Sequence, residues 1–446
     1  MSSLCVGPAG REQSGNQGDG LRRLGRLGDA RVEARGEREA AGAFPGGSLT
    51  RVPSCSDIAD GVIVNSSEGV TTSINYESFR ARPHADEATP ERAGREGRIR
   101  RAPGLVMAAD HQPSYLALYE SGELAERVRA LEKLLLSCTV CPLDCGNDRT
   151  RGQLARCYSG RLPIVSSYTA HFGEEPALTG TKGAGNVFFG NCNLRCVYCQ
   201  NYQISQTHRE QIRNEVTHER LASMMLELQS RGCHNINFVS PTHFAPQMAR
   251  AILVAAEQGL RLPVVYNTNA YDSVETLRLL EGVVDIYLPD LKYADSAEGY
   301  AYSKVPGYAG HARRALREMF RQTGDELVFD AQGLLRRGLV VRLLVLPNDI
   351  AGVRESLEWI RDELSPRVAV SLMAQYYATN KAATDDRYVL LSRRVTENEW
   401  WRAVSLLEEL GMEEGWMQEY DTASHYYRPD FADPETPFKD VRDFQT

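Results

Sequence analysis

The sequence predicts an α/β fold built on a parallel sheet. Two observations carry this. Short, apolar, β-branched segments recur along the chain, and helical patterns separate most of them. The candidate strands are "NVFFG" (186–190), "NINFVS" (235–240), "PVVYNTN" (263–269), "VDIYLPD" (284–290), "LVVRLLVLP" (339–347) and "RVAVSLMAQY" (367–376). Their unbroken apolar runs suit strands buried on both faces. "HERLASMMLELQSRG", "APQMARAILVAAEQG" and "AGVRESLEWIRDEL" read as crossover helices. Alternating strands and helices give a parallel sheet with right-handed crossovers. Six such units are too few for an eight-stranded barrel, so a partial barrel and an open doubly wound sheet both fit the periodicity. Either architecture puts its chemistry in loops at the C-terminal strand ends.

A cysteine loop sits where that rule asks. "GNCNLRCVYCQNYQ" (190–203) follows the first strand and places thiols at Cys192, Cys196 and Cys199. A structural zinc site or a closed iron–sulfur cluster takes four protein ligands, and a disulfide framework takes an even number. Three thiolates on a four-iron cluster leave one iron open, which is a reactive arrangement. The competing reading is a zinc site completed by a distant residue such as His208. Upstream, Cys138, Cys141, Cys145 and Cys157 form C-x2-C-x3-C-x11-C. That spacing suits a second metal site, zinc or iron–sulfur. Cys5 and Cys55 have no partners in pattern, and Cys233 reads as a core residue.

The chain has 446 residues, ten of them cysteine, and a formal net charge of −8. Clustered thiols without disulfide spacing indicate a reducing, cytoplasmic setting. No apolar run reaches membrane-spanning length, so no membrane partner is expected. Residues 107–446 carry 36 basic against 45 acidic side chains, which argues against nucleic acid as a partner. Residues 1–106 contain 15 Arg, 14 acidic residues and no Lys, with weak periodicity. They read as disordered, or as an extension ahead of a natural start at Met107. The remainder divides into 107–160, an amphipathic helix (114–136) plus the four-cysteine segment; 161–425, the core domain; and 426–446, a tail.

"CNLRCVYC", with Tyr198 before its third cysteine, resembles the signature loop of the radical S-adenosylmethionine (radical SAM) enzymes. The following "QN" and the later "PDLKY" resemble the pyruvate formate-lyase activating enzymes. The upstream cysteines, "AHFGEEP" and "SPTHF" are similar to uncharacterised homologues of those activases. The resemblance covers about 135–425. It implies a partial (β/α)6 TIM-like barrel, a 4Fe–4S cluster on Cys192, Cys196 and Cys199, and S-adenosylmethionine as cofactor. It also implies reductive cleavage of that cofactor and hydrogen-atom abstraction from a substrate, which in an activase is a protein. A flavodoxin or ferredoxin would supply the electron.

Cofactor contacts carry over by motif. Tyr198 lies in the signature loop. Asn267 and Thr268 match the third strand end, while Asp290 and Lys292 match a loop that holds a monovalent cation in the activases. An amide at Asn267, where the activases have an acid, weakens that cation site. Arg342 either reaches the cofactor or forms a structural ion pair. The family's glycine-glycine-glutamate turn after strand two is missing. Ser240 and Thr242 stand there as acceptors for the cofactor ammonium, with His243 beside them as a structural or substrate-facing residue. Glu174 and Glu175 are candidates for the active mouth. Against the enzyme reading stand a non-catalytic iron–sulfur electron carrier and a zinc-binding interaction protein.

Overall fold

A computed structural model describes residues 97–99, 106–107, 112–420, 429–432 and 437–438. The chain divides into two units, 1–83 and 84–446. The first lies outside the described residues, as do Cys5, Cys55 and most of the expected tail. All that follows concerns the second unit.

Its centre is a sheet of parallel strands. In chain order they are β1 (Val165–His171), β2 (Ala184–Phe189), β3 (Ile236–Val239), β4 (Val264–Thr268), β5 (Ile286–Pro289), β6 (Leu335–Leu344), β7 (Ala369–Met373) and β8 (Gly415–Met417). They lie side by side in that order. β2 to β8 run parallel to one another, and β1 runs antiparallel to β2. β2 to β7 are the six expected strands. β1 was not anticipated: "VSSYTAH" is rich in Ser and Thr and has no apolar run. β8 is three residues long, too short for a periodic signal. Gly97–Ile99 pairs antiparallel with β8, and Val106–Met107 pairs parallel with Val328–Phe329. Both segments fall at the edge of the stretch read as unstructured, whose remainder lies outside the described residues.

The two-residue period of the strands sorts their side chains into two layers. Val264 and Tyr266 belong to the large outer core under the helices. Val265, Ile286, Leu288, Val340, Ala369 and Trp416 form a separate core with Ala177 and Leu178. Residues of β4 to β8 meet there on one inner face, so the sheet curls into a partial barrel. Ala177 and Leu178 come from a short helical turn after β1, and they plug the barrel at the end where β1 finishes.

The crossover helices fall where the periodicity puts them, at His218–Ser230, Ala245–Glu257 and Val353–Glu363. The expected helix over 114–136 is two helices, Ser114–Glu120 and Glu123–Lys133. Gly122 divides them with a left-handed φ of 79°. Among the described residues no helix is long and apolar enough to cross a membrane.

Candidate active site

The cysteine loop leaves the C-terminal end of β2 through Gly190 and Asn191. A Cβ on Gly190 would stand 2.5 Å from Ile164 Cγ2, so only glycine fits this exit. Asn191 takes a left-handed φ of 63° and turns the chain across the barrel mouth. The loop is then held by backbone hydrogen bonds. Arg195 N donates to Ser303 O (3.0 Å), Val197 N to Tyr302 O (2.8 Å) and Ala382 N to Val197 O (2.9 Å). Tyr198 is buried and meets Tyr293 and Tyr376 edge to face.

Cys192, Cys196 and Cys199 all line one cavity of about 210 Å3. Each has its own polar neighbour. Asn269 Nδ2 lies 3.5 Å from Cys192 Sγ. Ser303 Oγ lies 3.0 Å from Cys196 Sγ, and Ser205 Oγ lies 3.2 Å from Cys199 Sγ. Burial pushes all three thiols up, Cys199 to about 12. Bound iron would reverse that preference, because a metal cation stabilises the thiolate.

Seven of the eight expected cofactor contacts line the same cavity: Tyr198, Ser240, Asn267, Thr268, Asp290, Lys292 and Arg342. Ser240 has a φ of 57°. Thr242 is the exception. Its hydroxyl points to Thr268 Oγ1 at 2.9 Å, and Thr268 in turn donates to the buried Asp272 at 2.6 Å. Thr242 therefore braces a cavity residue instead of facing the cavity. Asp290 Oδ2 accepts from Lys292 Nζ at 2.7 Å. Burial works against the Lys292 charge, but the carboxylate and the nearby Cys196 outweigh it and hold the ammonium above the usual lysine range.

Arg342 forms an ion pair and lines the cavity as well. Its Nε and Nη2 donate to Glu175 at 2.7 and 2.6 Å, and Nη2 also reaches Glu174. The two glutamates do not stand at the mouth. They follow β1, which runs antiparallel to β2, so they enter from the end opposite the cysteine loop and form the cavity floor. Glu174 further accepts from Asn186 and Asn237.

His243 is structural. Its Nε2 is 3.0 Å from Gly190 O, and burial drives its imidazole down to about 3. Arg149, only 1 % exposed, donates to the carbonyls of His243 and Gly160. His208 stacks on Tyr158 with ring centroids 3.7 Å apart and does not line the cavity. Cys233 is a core residue, as expected.

Cys138, Cys141 and Cys157 are buried and Cys145 is half-buried. Burial, and then the neighbouring thiols of the same group, raise Cys141 and Cys145. The segment lies against the signature loop, where Asn191 Nδ2 donates to Tyr158 O, and against the helix Val274–Leu279, where Thr276 Oγ1 donates to Val140 O. Among the described residues no three His, Cys, Asp or Glu side chains close to the geometry of a single metal ion. A cluster places each thiolate on its own iron, so that geometry bears on zinc and not on a cluster.

Sequence reasoning missed Asn269, Ser303, Ser205 and the cavity glutamines Gln200, Gln375 and Gln418. Asn269 sits in the quoted "YNTN", next to Asn267 and Thr268. Ser303 has no sequence signal, because it lies 107 positions from Cys196.

A profile of the radical SAM superfamily matches residues 186–322, which contain the cysteine loop, most of β2 and the strands β3 to β5. An uncharacterised protein of Methanocaldococcus jannaschii is 30% identical over 274 residues, spanning 58% of this chain and 74% of that one. The chain belongs to the radical SAM superfamily. Radical SAM membership makes it an enzyme, and the superfamily characteristically uses a 4Fe–4S cluster and S-adenosylmethionine. Among solved structures, HydG, a maturase of the FeFe hydrogenase, has a TM-score of 0.38 at 13% identity. That match covers 55% of this radical SAM chain and 53%, about half, of HydG.

Proposed function

We propose that this protein cleaves S-adenosylmethionine reductively and abstracts a hydrogen atom from a substrate held in the barrel. One observation carries the reading. The buried thiols of Cys192 and Cys196 and the half-buried thiol of Cys199, each beside its own hydroxyl or amide, open onto a single cavity at the C-terminal mouth of six parallel strands. Three thiolates with an open fourth position fit a 4Fe–4S cluster that chelates its cofactor, and Cys192, Cys196 and Cys199 would hold it. When bound there, such a cluster would supply the one electron that reductive cleavage of S-adenosylmethionine, and so hydrogen-atom abstraction, requires.

The chain's own residues bind, orient and exclude water. Ser303, Ser205 and Asn269 donate toward the thiolates, which favours the more negative, reduced state. Lys292, steered by Asp290, presents an ammonium to the cofactor carboxylate. Ser240, in its left-handed turn, offers an acceptor to the cofactor ammonium. Tyr198, packed between Tyr293 and Tyr376, closes one side against water. The finer reading is an activase-like enzyme reduced by a flavodoxin or ferredoxin, supported by "QN" after the loop and "PDLKY" after β5. The four upstream cysteines carry a second metal site in this reading, supported by their mutual proximity.

Anaerobic reconstitution with iron and sulfide, followed by S-adenosylmethionine cleavage under dithionite, tests this. Cys196→Ala should lose the cluster and the cleavage while keeping the native circular dichroism. Cleavage at the wild-type rate in that variant would overturn the proposal. Zinc without iron in the anaerobically purified protein would favour an interaction module instead.

A further inference from the structure

We propose that Cys138, Cys141, Cys145 and Cys157 hold a second iron–sulfur cluster, and that it relays to the catalytic cluster an electron from an acidic, low-potential carrier protein. This rests on the radical SAM reading and deepens it by naming the entry route of the electron. The carrier loses one electron, the second cluster gains and then loses it, and the catalytic cluster ends one electron reduced.

Two turns bring the four thiols together. Cys138 closes a short hairpin, its N donating to Asn147 O at 2.9 Å and its O accepting from Gly146 N at 3.1 Å. Within it Asp144 N donates to Cys141 O at 3.0 Å, and the N–H of Leu143 faces the Cys141 sulfur. A second turn, in which Tyr158 N donates to Ala155 O at 2.9 Å, presents Cys157, and the N–H of Arg156 faces the Cys145 sulfur. Cys138, Cys141 and Cys157 are buried, and Cys145 is half-buried. Backbone N–H groups aimed at sulfur stabilise thiolate ligands.

The spacing suits iron and sulfide over zinc. One zinc ion at about 2.3 Å from four sulfurs draws them to within roughly 4 Å of one another. A cluster puts each thiolate on its own iron and holds the sulfurs farther apart. Among the described residues, the four thiols are neighbours that do not close on a single ion. Neither do Cys192, Cys196 and Cys199, in the loop where the superfamily characteristically holds its 4Fe–4S cluster. Both groups share the open spacing of a cluster site.

Two short bridges run from this group to the catalytic loop, and both end on Cys192. In the first, Arg156 O accepts from Arg195 Nη2, and Arg195 Nη1 donates to Cys192 O. In the second, Tyr271 lies within electrostatic reach of Cys141, and its O accepts from Asn193 Nδ2 at 3.0 Å. Asn193 Oδ1 accepts from Asn269 Nδ2 at 2.8 Å, and that amide stands 3.5 Å from Cys192 Sγ. An electron leaving the four thiols thus crosses one guanidinium, or one tyrosine and a pair of amides, to reach the loop. The same surface selects the carrier. Arg156 is exposed, and Arg195 and Lys304 are half-buried. Their charged ends meet carbonyls and the rings of Tyr158 and Tyr388, and none of the three forms a salt bridge among the described residues. Asp144 is exposed beside Cys145, and the three cations outnumber it. A cationic rim at the half-buried thiol suits an acidic partner.

The test uses the full chain, reconstituted anaerobically with iron and sulfide. A triple variant, Cys192→Ala with Cys196→Ala and Cys199→Ala, leaves the four thiols intact and should still bind iron and sulfide. Its reduced form should show an electron paramagnetic resonance signal that ignores S-adenosylmethionine. A double variant, Cys141→Ala with Cys145→Ala, should lose that signal and keep the one that shifts on adding S-adenosylmethionine. Stopped-flow reduction reads the route. Dithionite, a small reductant, should reduce the catalytic cluster of wild type and double variant at similar rates. A reduced acidic 2Fe–2S ferredoxin should be at least about tenfold slower on the double variant. In wild type frozen early in that reaction, the signal of the triple variant should appear before the cofactor-sensitive one. Zinc at the four thiols, or a triple variant without iron, would overturn the second cluster, even where the double variant unfolds. Equal ferredoxin rates, or the reverse order of the two signals, would overturn the relay. A wild type with no signal that responds to S-adenosylmethionine would sink the radical SAM reading separately, whatever the triple variant holds.

Discussion

The Ser303 hydroxyl stands 3.0 Å from Cys196 Sγ, and the Tyr293 hydroxyl stands 2.8 Å from Ser303 Oγ. With the sulfur as thiolate, Ser303 donates to it and Tyr293 donates to Ser303. This relay rests negative charge on Cys196 against two hydroxyls. Ser303→Ala should leave iron content unchanged and lower the cluster potential by on the order of 40 mV, the one-electron equivalent of about 1 kcal/mol. A redox titration followed by electron paramagnetic resonance reads the shift. An unchanged potential would mean that Ser303 only braces the loop.

Lys292 and Asp290 predict how the cofactor is held. Lys292 Nζ stands 2.7 Å from Asp290, and in the proposed function this ammonium is the cation that meets the cofactor carboxylate. Lys292→Met should weaken S-adenosylmethionine binding by about tenfold, and Asp290→Asn by less, with the cluster intact in both. Exchanging potassium for sodium should change nothing. A potassium-dependent affinity in the wild type would show a bound metal cation between Asp290 and the cofactor.

Arg149 joins the cysteine-rich segment to the turn after β3. It donates 2.7 Å to His243 O and 3.1 Å to Gly160 O, and its guanidinium lies over the Phe244 ring. Arg149→Met leaves the His243 carbonyl without that donor, and should cost about 2–3 kcal/mol in urea unfolding with an unchanged m value. Stability within error of the wild type would show that the surrounding loops relax around the loss.

Asp285 gives a pH dependence. Burial raises its carboxyl from 3.8 to about 6 in the folded chain, although it accepts from Val264 N and Ser114 N. Between those values the folded state holds a proton that the unfolded state releases. Its contribution to stability is therefore full below about pH 4, falls as pH rises to about 6, and is constant above. Urea unfolding across that window should show this slope, and Asp285→Asn should flatten it. Equal slopes in both proteins would place the titration elsewhere.

Local patterning made much of this protein legible. Cys192, Cys196 and Cys199 are neighbours in sequence and remain neighbours in space, since a short loop cannot separate them. The strands β2 to β7 were readable because burial on both faces demands apolar runs. β1 escaped because its Ser and Thr residues pack on an edge strand. The site partners escaped for a different reason. Glu175 meets Arg342 across 167 positions, and Asn269 meets Cys192 across 77. Pairings that distant depend on which strands lie side by side and how far the sheet curls.

The sequence by itself determined the strand–helix alternation, the exit of the cysteine loop from β2 and the superfamily, because each is written in residues a few positions apart. Only the tertiary structure decided that Glu174 and Glu175 form a floor and not a mouth. Their position follows from β1 running antiparallel to β2, which sends the chain after it into the opposite end of the barrel. The same closure brings Arg342 from β6 onto both of them.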